Sequence, residues 1–422
     1  MSLTEVLQAT HGRLVSGPRE AAFARLVIDS REVTAGGLFV ALKGEQQDGH
    51  AYIGQAVDRG ATGILCERAP VGVLGPAIVE VADTRQALVD LTADRLRRQP
   101  VPIVAITGSA GKTTTKELIA HVLGRRLRVH KSEGNLNTYT GIPMTVFQMD
   151  PRDRALVGFL GSIEAVAAAK RELVEGLAAG GLAVLNADDP RVRAMAPAAR
   201  RVTFYGLGQG AQVRADKVRL HGLEGSTFML HSPRGKSEVF LRIPGQHSIS
   251  NALAAAAVAI EFGFDAAAVA SALHGFLPPS RRMNVVSGRN GATVIDDSYN
   301  ASPGSMEAAL EVLRLAPGGA LRVAVLGDML ELGDHAKRAH AEIGSLAAGS
   351  ADIVMAIGEH AATVVEAARR AGLADDRAFV VESADQAVQA LDPLLSEKAR
   401  VLVKGSRGMR LERVVERIRE PS

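Results

Sequence analysis

A strand, a glycine-rich turn and a helix start meet at residues 101–125, and no other stretch of the chain restricts its fold so tightly. The apolar run 101–106 gives way to Thr107-Gly108-Ser109-Ala110-Gly111-Lys112-Thr113-Thr114-Thr115, and a helical pattern follows to about Arg125. In such a turn the backbone N–H groups converge on one spot, and the helix dipole adds positive potential there. Lys112 would neutralise β- and γ-phosphates, and the Thr113 hydroxyl suits Mg²⁺. The standard phosphate loop has a glycine five positions before Gly111, where Ile106 stands, so this is a shortened variant. The alternative is an ordinary strand–turn–helix connection with a solvated lysine. Strand, turn and helix all agree instead with a nucleoside triphosphate site.

At 422 residues the chain is too long for a single core, and two to four domains are expected. Net charge is only +3, so the basic pI is a small excess and not a basic patch; with aromatics at 4% and no Trp, stacking platforms for nucleic-acid bases are not expected. A lone cysteine, Cys66, rules out an internal disulfide and fits a reducing compartment. The longest apolar stretch, residues 252–260, is far short of a membrane span and reads as a buried helix. With no signal pattern at the N-terminus, the expectation is a cytoplasmic protein with no membrane or nucleic-acid partner.

Hydrophobic periodicity divides the chain into three segments. Residues 1–83 mix short strands (26–29, 38–42, 63–66) with a helix at 51–59. A second segment, 84–283, opens with a helix at 84–98, broken by Pro100 and Pro102. It holds the phosphate-loop unit, a strand at 182–185, short alternating strands between 202 and 243, and an Ala-rich helix at 247–262. In the third segment, 284–422, strands at 293–295, 322–326, 353–357, 379–381 and 400–403 alternate with helices at 304–315, 335–348, 361–371, 384–395 and 409–418. That alternation predicts a doubly wound parallel sheet with right-handed crossovers. The fold class is α/β.

Several polar clusters fall at strand ends. Asp29-Ser30-Arg31, Lys43 and Asp48-Gly49-His50 are either turn material or a second ligand pocket. Asp296-Asp297-Ser298-Tyr299-Asn300, Gly327-Asp328-Met329 and Lys404-Gly405-Ser406-Arg407 follow three strands of one sheet, where α/β proteins bind ligands. Acids on two ends and cations on the third suggest a site for a zwitterion or carboxylate. In Gly245-Gln246-His247-Ser248-Ile249-Ser250-Asn251, a helix start, Asn251 lies one turn inside, where an asparagine has no capping use. Lys170 sits in an Ala-rich helix over 163–177 and reads, by periodicity, as a solvated lysine. His274 and His340 have no partner readable from sequence, and no zinc spacing occurs.

Taken in order, these motifs closely resemble the Mur ligase family. The resemblance also rests on Leu38–Glu45, Gly134-Asn135-Leu136-Asn137, Gly141-Ile142-Pro143, Asn186-Ala187-Asp188-Asp189 and Gly327–Gly333, and it covers nearly the whole chain. It implies three domains: a small α/β N-terminal domain for a UDP-sugar substrate (1–83), a central P-loop-type ATPase domain (84–283), and a C-terminal Rossmann-like domain for the incoming amine (284–422). The Asp-Asp-Ser-Tyr-Asn and Gly-Asp-Met-x-Glu-Leu-Gly stretches point to the member joining D-alanyl-D-alanine to UDP-N-acetylmuramoyl-tripeptide in peptidoglycan precursor synthesis, as a monomer. ATP would phosphorylate the peptide carboxylate, and the amine would attack the acyl phosphate. By resemblance Gly108, Ser109, Ala110, Gly111, Lys112, Thr113, Thr114, Asn251, Arg282, Asp297, Tyr299 and Asn300 bind ATP. Thr113 and a carbamylated Lys170, formed with CO₂, hold Mg²⁺, with Lys112 and Lys170 catalytic. Ser30, Arg31, Lys43, Asp48, His50, Asn135 and Asn137 face the UDP-sugar peptide, and Lys404, Ser406 and Arg407 the dipeptide.

In one place the chain departs from the family. After Pro143 the pattern continues through a helix, a strand with a Mg²⁺-binding Glu, a second helix and a strand ending in a turn with a His. Here Asp153–Val157 runs directly into Gly158-Phe159-Leu160-Gly161. One strand–helix–strand unit, roughly 30 residues, is missing, and Glu164 and Glu172 lie on a helix instead of a strand end. The expectation is a clear lineage with impaired catalysis. The alternatives are a segment absent only from the sequence as written, a non-catalytic nucleotide- or UDP-sugar-binding remnant, or another Mur or folylpolyglutamate-type ligase.

Overall fold

The computed structural model describes residues 1–44, 47–133, 140–159, 168–316 and 320–420. Two compact units emerge, one formed by Met1–Thr107 and Arg126–Leu173, the other by Gly108–Arg125 and Val174–Ser422. The first begins with α1 (Leu3–Thr10), opened by a capping box in which Ser2 and Glu5 satisfy each other's backbone N–H. Then come β1 (Arg13–Ser16), β2 (Arg25–Val27), β3 (Gly37–Val40), α2 (Ile53–Asp58), β4 (Ala61–Cys66), β5 (Ala77–Glu80) and α3 (Thr84–Arg98). The sheet order is β1-β5-β4-β3-β2, parallel except for β1.

Unbroken apolar runs form its inner strands because both faces are covered. Leu38 and Val40 of β3 join Leu65, Val79, Leu88 and Leu91 on one face. Phe39 and Ala41 join Ile53, Ile64, Cys66 and Ile78 on the other. Burial pushes the Cys66 thiol up to about 11, so it is an inert core residue. Strands β1 and β5 escape sequence reading because four residues carry too little periodicity to register. The helix expected at 51–59 divides into a 3₁₀ turn, Gly49–Tyr52, and α2.

Chain order continues with β6 (Ile103–Ile106), α4 (Lys112–Leu123), β7 (Val129–Lys131), α5 (Gly141–Phe147), β8 (Ala155–Phe159) and α6 (Ala168–Glu175). Strand β8 lies between β6 and β7, all parallel. The junction between Val157 and Gly158, where the family pattern breaks, falls inside β8, so the chain crosses it as one continuous strand with Ala155, Leu156 and Val157 buried.

The second unit adds β9 (Ala183–Asn186), α7 (Pro190–Arg193), β10 (Val202–Gly206), β11 (Val213–Leu220), β12 (Ser226–Ser232), β13 (Gly235–Leu241), α8 (Gln246–Glu261) and α9 (Ala266–His274). Strands β9, β10 and β11 are parallel, and β11, β12 and β13 antiparallel. Helix α4 packs on α8, whose buried residues include six alanines from Ala252 to Ala259, and small side chains allow a close approach.

The last elements are β14 (Asn284–Ser287), β15 (Thr293–Asp297), α10 (Pro303–Arg314), β16 (Leu321–Gly327), α11 (Ala336–Ser350), β17 (Ile353–Ile357), α12 (Ala361–Arg370), β18 (Ala378–Val380), α13 (Ala384–Leu391), β19 (Ala399–Lys404) and α14 (Glu412–Ile418). The sheet order is β14-β15-β19-β16-β17-β18. It is doubly wound as expected, with one correction: β14 is an antiparallel edge paired Asn284 to Asp296. Asp296 and Asp297 therefore end β15 and do not follow it. Helices α13 and α14 cover one face through Val388, Leu391, Val414 and Ile418 against Val294, Val323, Val325 and Val401.

Packing at Gly63 offers a direct check on the N-terminal core. A Cβ there would lie 2.3 Å from the Phe23 ring and 2.8 Å from Leu38 Cδ1. Gly63→Ala is expected to destabilise by about 1–3 kcal/mol, read as a lower urea midpoint. An unchanged midpoint would contradict this packing.

Candidate active site

Helix α4 starts at Lys112 from Gly111, whose φ of 77° lies in the left-handed region. Glycine is required there twice over, since a Cβ would also sit 2.4 Å from Asn251 Oδ1. Asn251, on the second turn of α8, accepts from Thr115 Oγ1 at 3.3 Å. Its place one turn inside the helix is thus explained by contact with the phosphate loop. Lys112 Nζ donates to the Gly108 carbonyl at 2.6 Å, while Ser109 and Ala110 are exposed and Thr113 and Thr114 half-buried. The α4 N-terminus presents N–H groups and positive potential to an anion.

Thr113 connects this loop to the C-terminal segment. Arg282 Nη2 donates to Thr113 Oγ1 at 2.9 Å, and the same guanidinium stacks over the Tyr299 ring at 4.1 Å. Arg407 also lies over that ring, at 5.3 Å. Arg282 Nε is buried without a hydrogen-bond partner, and burial lowers the pKa of this guanidinium. The residues on either side, Arg281 and Met283, have φ of 64° and 51°. The Tyr299 N–H donates to Arg281 O at 3.1 Å. Asp297 accepts from Met283 N–H at 3.0 Å on Oδ1 and from Lys404 on Oδ2.

Lys404 is 2% exposed and donates a second bond to Asn300 O at 3.0 Å. Among the residues expected at the dipeptide, Lys404 is therefore an internal strut for Asp297. Ser406, also buried, ties neighbouring loops together, and Arg407 is exposed. The neighbouring Asp296 accepts from Ser298 Oγ at 2.6 Å, and burial raises its pKa. His247 belongs to the same cluster. Burial is the main cause that lowers its pKa, with Asp297 opposing that and Lys404 adding to it. Sequence reading passed over His247 as a site residue, since a histidine at a helix start carries no pattern of its own.

The polar residues expected for a second pocket cluster in the first unit. Asp29 accepts from Arg31 N–H and grips its guanidinium, which holds the Asp29 carboxyl at about 2. Ser30 Oγ donates to Gln55 Oε1 at 2.6 Å. Asp48 accepts from His50 N–H at 3.0 Å and lies 2.7 Å from His50 Nδ1. The other ring nitrogen accepts from Glu67 N–H at 2.9 Å, so Nδ1 carries the proton. Lys43 is exposed, and its carbonyl accepts from Arg85 at 2.6 Å. Turn formation, the plainer of the two sequence readings, is thus what Asp29 and Asp48 do. It leaves the Arg31, Lys43 and His50 side chains near one another in sequence at the ends of β2 and β3.

Asn135 and Asn137 lie outside the described residues, as does the side chain of Lys170, whose backbone belongs to α6. Among the described residues no group of three or more His, Cys, Asp or Glu could hold a metal ion. The Thr113 hydroxyl is a single neutral oxygen donor. It fits Mg²⁺ only as a partner to phosphate oxygens and water, the ligands this ion prefers.

Known families match along the chain: "Mur ligase family, catalytic domain" over 23–99, "Mur ligase middle domain" over 106–157 and 154–259, and "Mur ligase, glutamate ligase domain" over 281–407. The middle-domain match splits at 154–157, at the break read from the sequence. A UDP-N-acetylmuramoyl-tripeptide--D-alanyl-D-alanine ligase of Bacillus subtilis is 32% identical over 92% of this chain and 91% of the relative. That of Escherichia coli is 32% identical over 100% of this chain and 98% of its own length. The latter alignment spans 462 positions against 422 residues, so at least 40 positions of the relative have no counterpart here. A crystal structure of MurF from Acinetobacter baumannii superposes with a TM-score of 0.88 at 29% identity, covering 99% of this chain and 98% of that one. MurF ligase from Thermotoga maritima in complex with ADP gives 0.81 at 26%, covering 93% and 96%. The chain belongs to the Mur ligase family.

Proposed function

We propose that this chain is an ATP-dependent ligase joining D-alanyl-D-alanine to UDP-N-acetylmuramoyl-tripeptide. The observation that carries the reading is the phosphate loop itself: Gly111 seated on Asn251 and Thr113 bonded to Arg282, beside Tyr299. Relatives bearing that name align over nearly the whole chain. Ser30, Arg31, Lys43, Asp48 and His50 of residues 1–83, with Asn135 and Asn137 of the central segment, take the UDP-sugar peptide. Residues 84–283 take ATP, and 284–422 take the dipeptide at the C-terminal ends of β16 and β19. The enzyme works as a monomer in the cytoplasm.

A carboxylate is a poor electrophile, so the peptide's carboxylate oxygen first takes the γ-phosphoryl group, releasing ADP. The dipeptide's amine nitrogen then forms a bond to the acyl carbon. The carbon–oxygen bond to phosphate breaks, and the nitrogen loses a proton. Lys112 and the N–H groups opening α4 offset the charge that gathers on the phosphates. Arg282 holds the loop against Tyr299, and Lys404 holds Asp297 in place. Mg²⁺ on the phosphates, next to Thr113, would supply further charge neutralisation. Lys170 is proposed to be carbamylated, an anion in place of a cation.

The test is phosphate release and mass detection of the ligated product with Mg-ATP, UDP-muramoyl-tripeptide and D-alanyl-D-alanine, against controls lacking each. Release that requires all three is expected. ATP binding without release would make the chain a non-catalytic binder. Turnover is expected to be slow, because the unit missing after Val157 takes a metal-binding Glu and His with it. Inserting that unit from the E. coli relative should raise kcat by roughly tenfold or more; an unchanged kcat would show that the break has no catalytic consequence.

A further inference from the structure

One crevice of the C-terminal sheet is singled out by topology. Strands β16 and β19 are neighbours, yet the chain leaves β19 for α14 on one face and leaves β16 for α11, whose contacts are with α10 and α12. Where adjacent strands send their connections to opposite faces, open α/β sheets bind ligands. The loops on either side are Asp328–Gly333 and Lys404–Met409. The two strand ends approach closely: a Cβ on Gly405 would lie 3.1 Å from Gly327 Cα. Ser406 N–H donates to Asp328 O at 3.0 Å, and Ser406 Oγ accepts from Leu330 N–H at 2.9 Å.

The first loop is also tethered by a histidine that the reaction does not use. Met329 N–H donates to His340 Nε2 at 2.9 Å. His340 is 1% exposed, one turn into α11, with Nδ1 2.7 Å from Ala336 O. A carbonyl only accepts, so Nδ1 carries the proton and Nε2 is a bare lone pair. The ring is therefore held neutral in one tautomer. Its titratable neighbours are Asp328, with Oδ1 3.7 Å from Nε2, and His360, whose ring centre is 4.4 Å away. Asp328 is itself fixed, accepting from Glu359 N–H at 2.7 Å and His360 N–H at 3.1 Å.

We propose that His340 is a positioning residue for the amine substrate: as a neutral base it holds Met329 N–H and thereby fixes the Asp328–Leu330 turn that walls the crevice. The inference rests on the reading of this crevice as the dipeptide site. A protonated imidazole has no lone pair for Met329, so two N–H groups would oppose each other and the turn would be released. Burial lowers the pKa of His340, His360 adds to the lowering, and the Ala336 carbonyl and Asp328 oppose it. The neutral form thus persists through neutral pH. The tether is complete above the ordinary histidine pKa and is lost as pH falls through the lowered value.

The test is the pH profile of KM for D-alanyl-D-alanine and for ATP in the wild type, His340→Ala and His340→Gln. Glutamine can place its Oε1 near Nε2 as an acceptor and cannot be protonated. His340→Ala should raise KM for the dipeptide about tenfold at neutral pH, the size of one lost buried hydrogen bond. Its kcat and KM for ATP should stay within about twofold. His340→Gln should restore the KM and remove the acid-side rise seen in the wild type. Equal rises in both KM values for His340→Ala, or an acid-side rise retained in His340→Gln, would overturn the proposal. Wild-type protein that never uses the dipeptide would instead overturn the ligase reading beneath it.

Discussion

One guanidinium group holds the candidate site together. Arg282 donates to the Thr113 hydroxyl at the start of the phosphate-loop helix and lies over the Tyr299 ring just beyond β15. The backbone bends sharply to present it. Arg281 and Met283, on either side, adopt left-handed φ values that cost L-residues roughly 1 kcal/mol or more each. That strain persists because both neighbours are over-determined. Arg281 O accepts from Tyr299 N–H, and its side chain reaches Glu412 and Glu416. Met283 N–H is held by Asp297, which Lys404 secures from below. Removing Lys404 would leave a buried carboxylate without its counter-ion, a larger loss than the pair's net contribution to stability.

The parts of the site that could be read in the sequence are those with local signatures. Gly111, Lys112 and Thr113 stand in a spacing that only a phosphate loop needs, and Asn251 stood out because asparagine one turn into a helix has no local use. The strand ends at Asp297, Asp328 and Lys404 could be read because apolar runs stop there abruptly. The partnerships could not. Lys404 finds Asp297 from 107 residues away, and His340 meets a backbone N–H supplied by a separate loop. Such pairings depend on strand order, and nothing local encodes that β19 inserts between β15 and β16. The antiparallel edge β14 was missed for the same reason, since an edge strand and a loop of four residues look alike.

The break at Val157 shows how sequence and structure inform each other. The middle-domain match divides at 154–157, at the break read from the sequence, and the E. coli relative has at least 40 aligned positions with no counterpart in this chain. The described chain nevertheless closes the gap with β8, whose central residues are buried between two parallel neighbours. A parallel sheet can lose a strand–helix–strand unit and still satisfy its backbone, because each crossover returns the chain in the same direction. Among the described residues no group of three or more His, Cys, Asp or Glu could hold a metal ion.

Arg282 joins the phosphate loop to Tyr299 beyond β15, and on the proposed function this link builds the nucleotide site. Calorimetric affinity for Mg-ATP in Arg282→Lys tests it most directly, because lysine keeps the charge but cannot both stack on Tyr299 and reach Thr113. At least about a tenfold loss of affinity is expected, with Tm within a few degrees of wild type. Unchanged affinity would contradict it and leave Arg282 as a structural link alone.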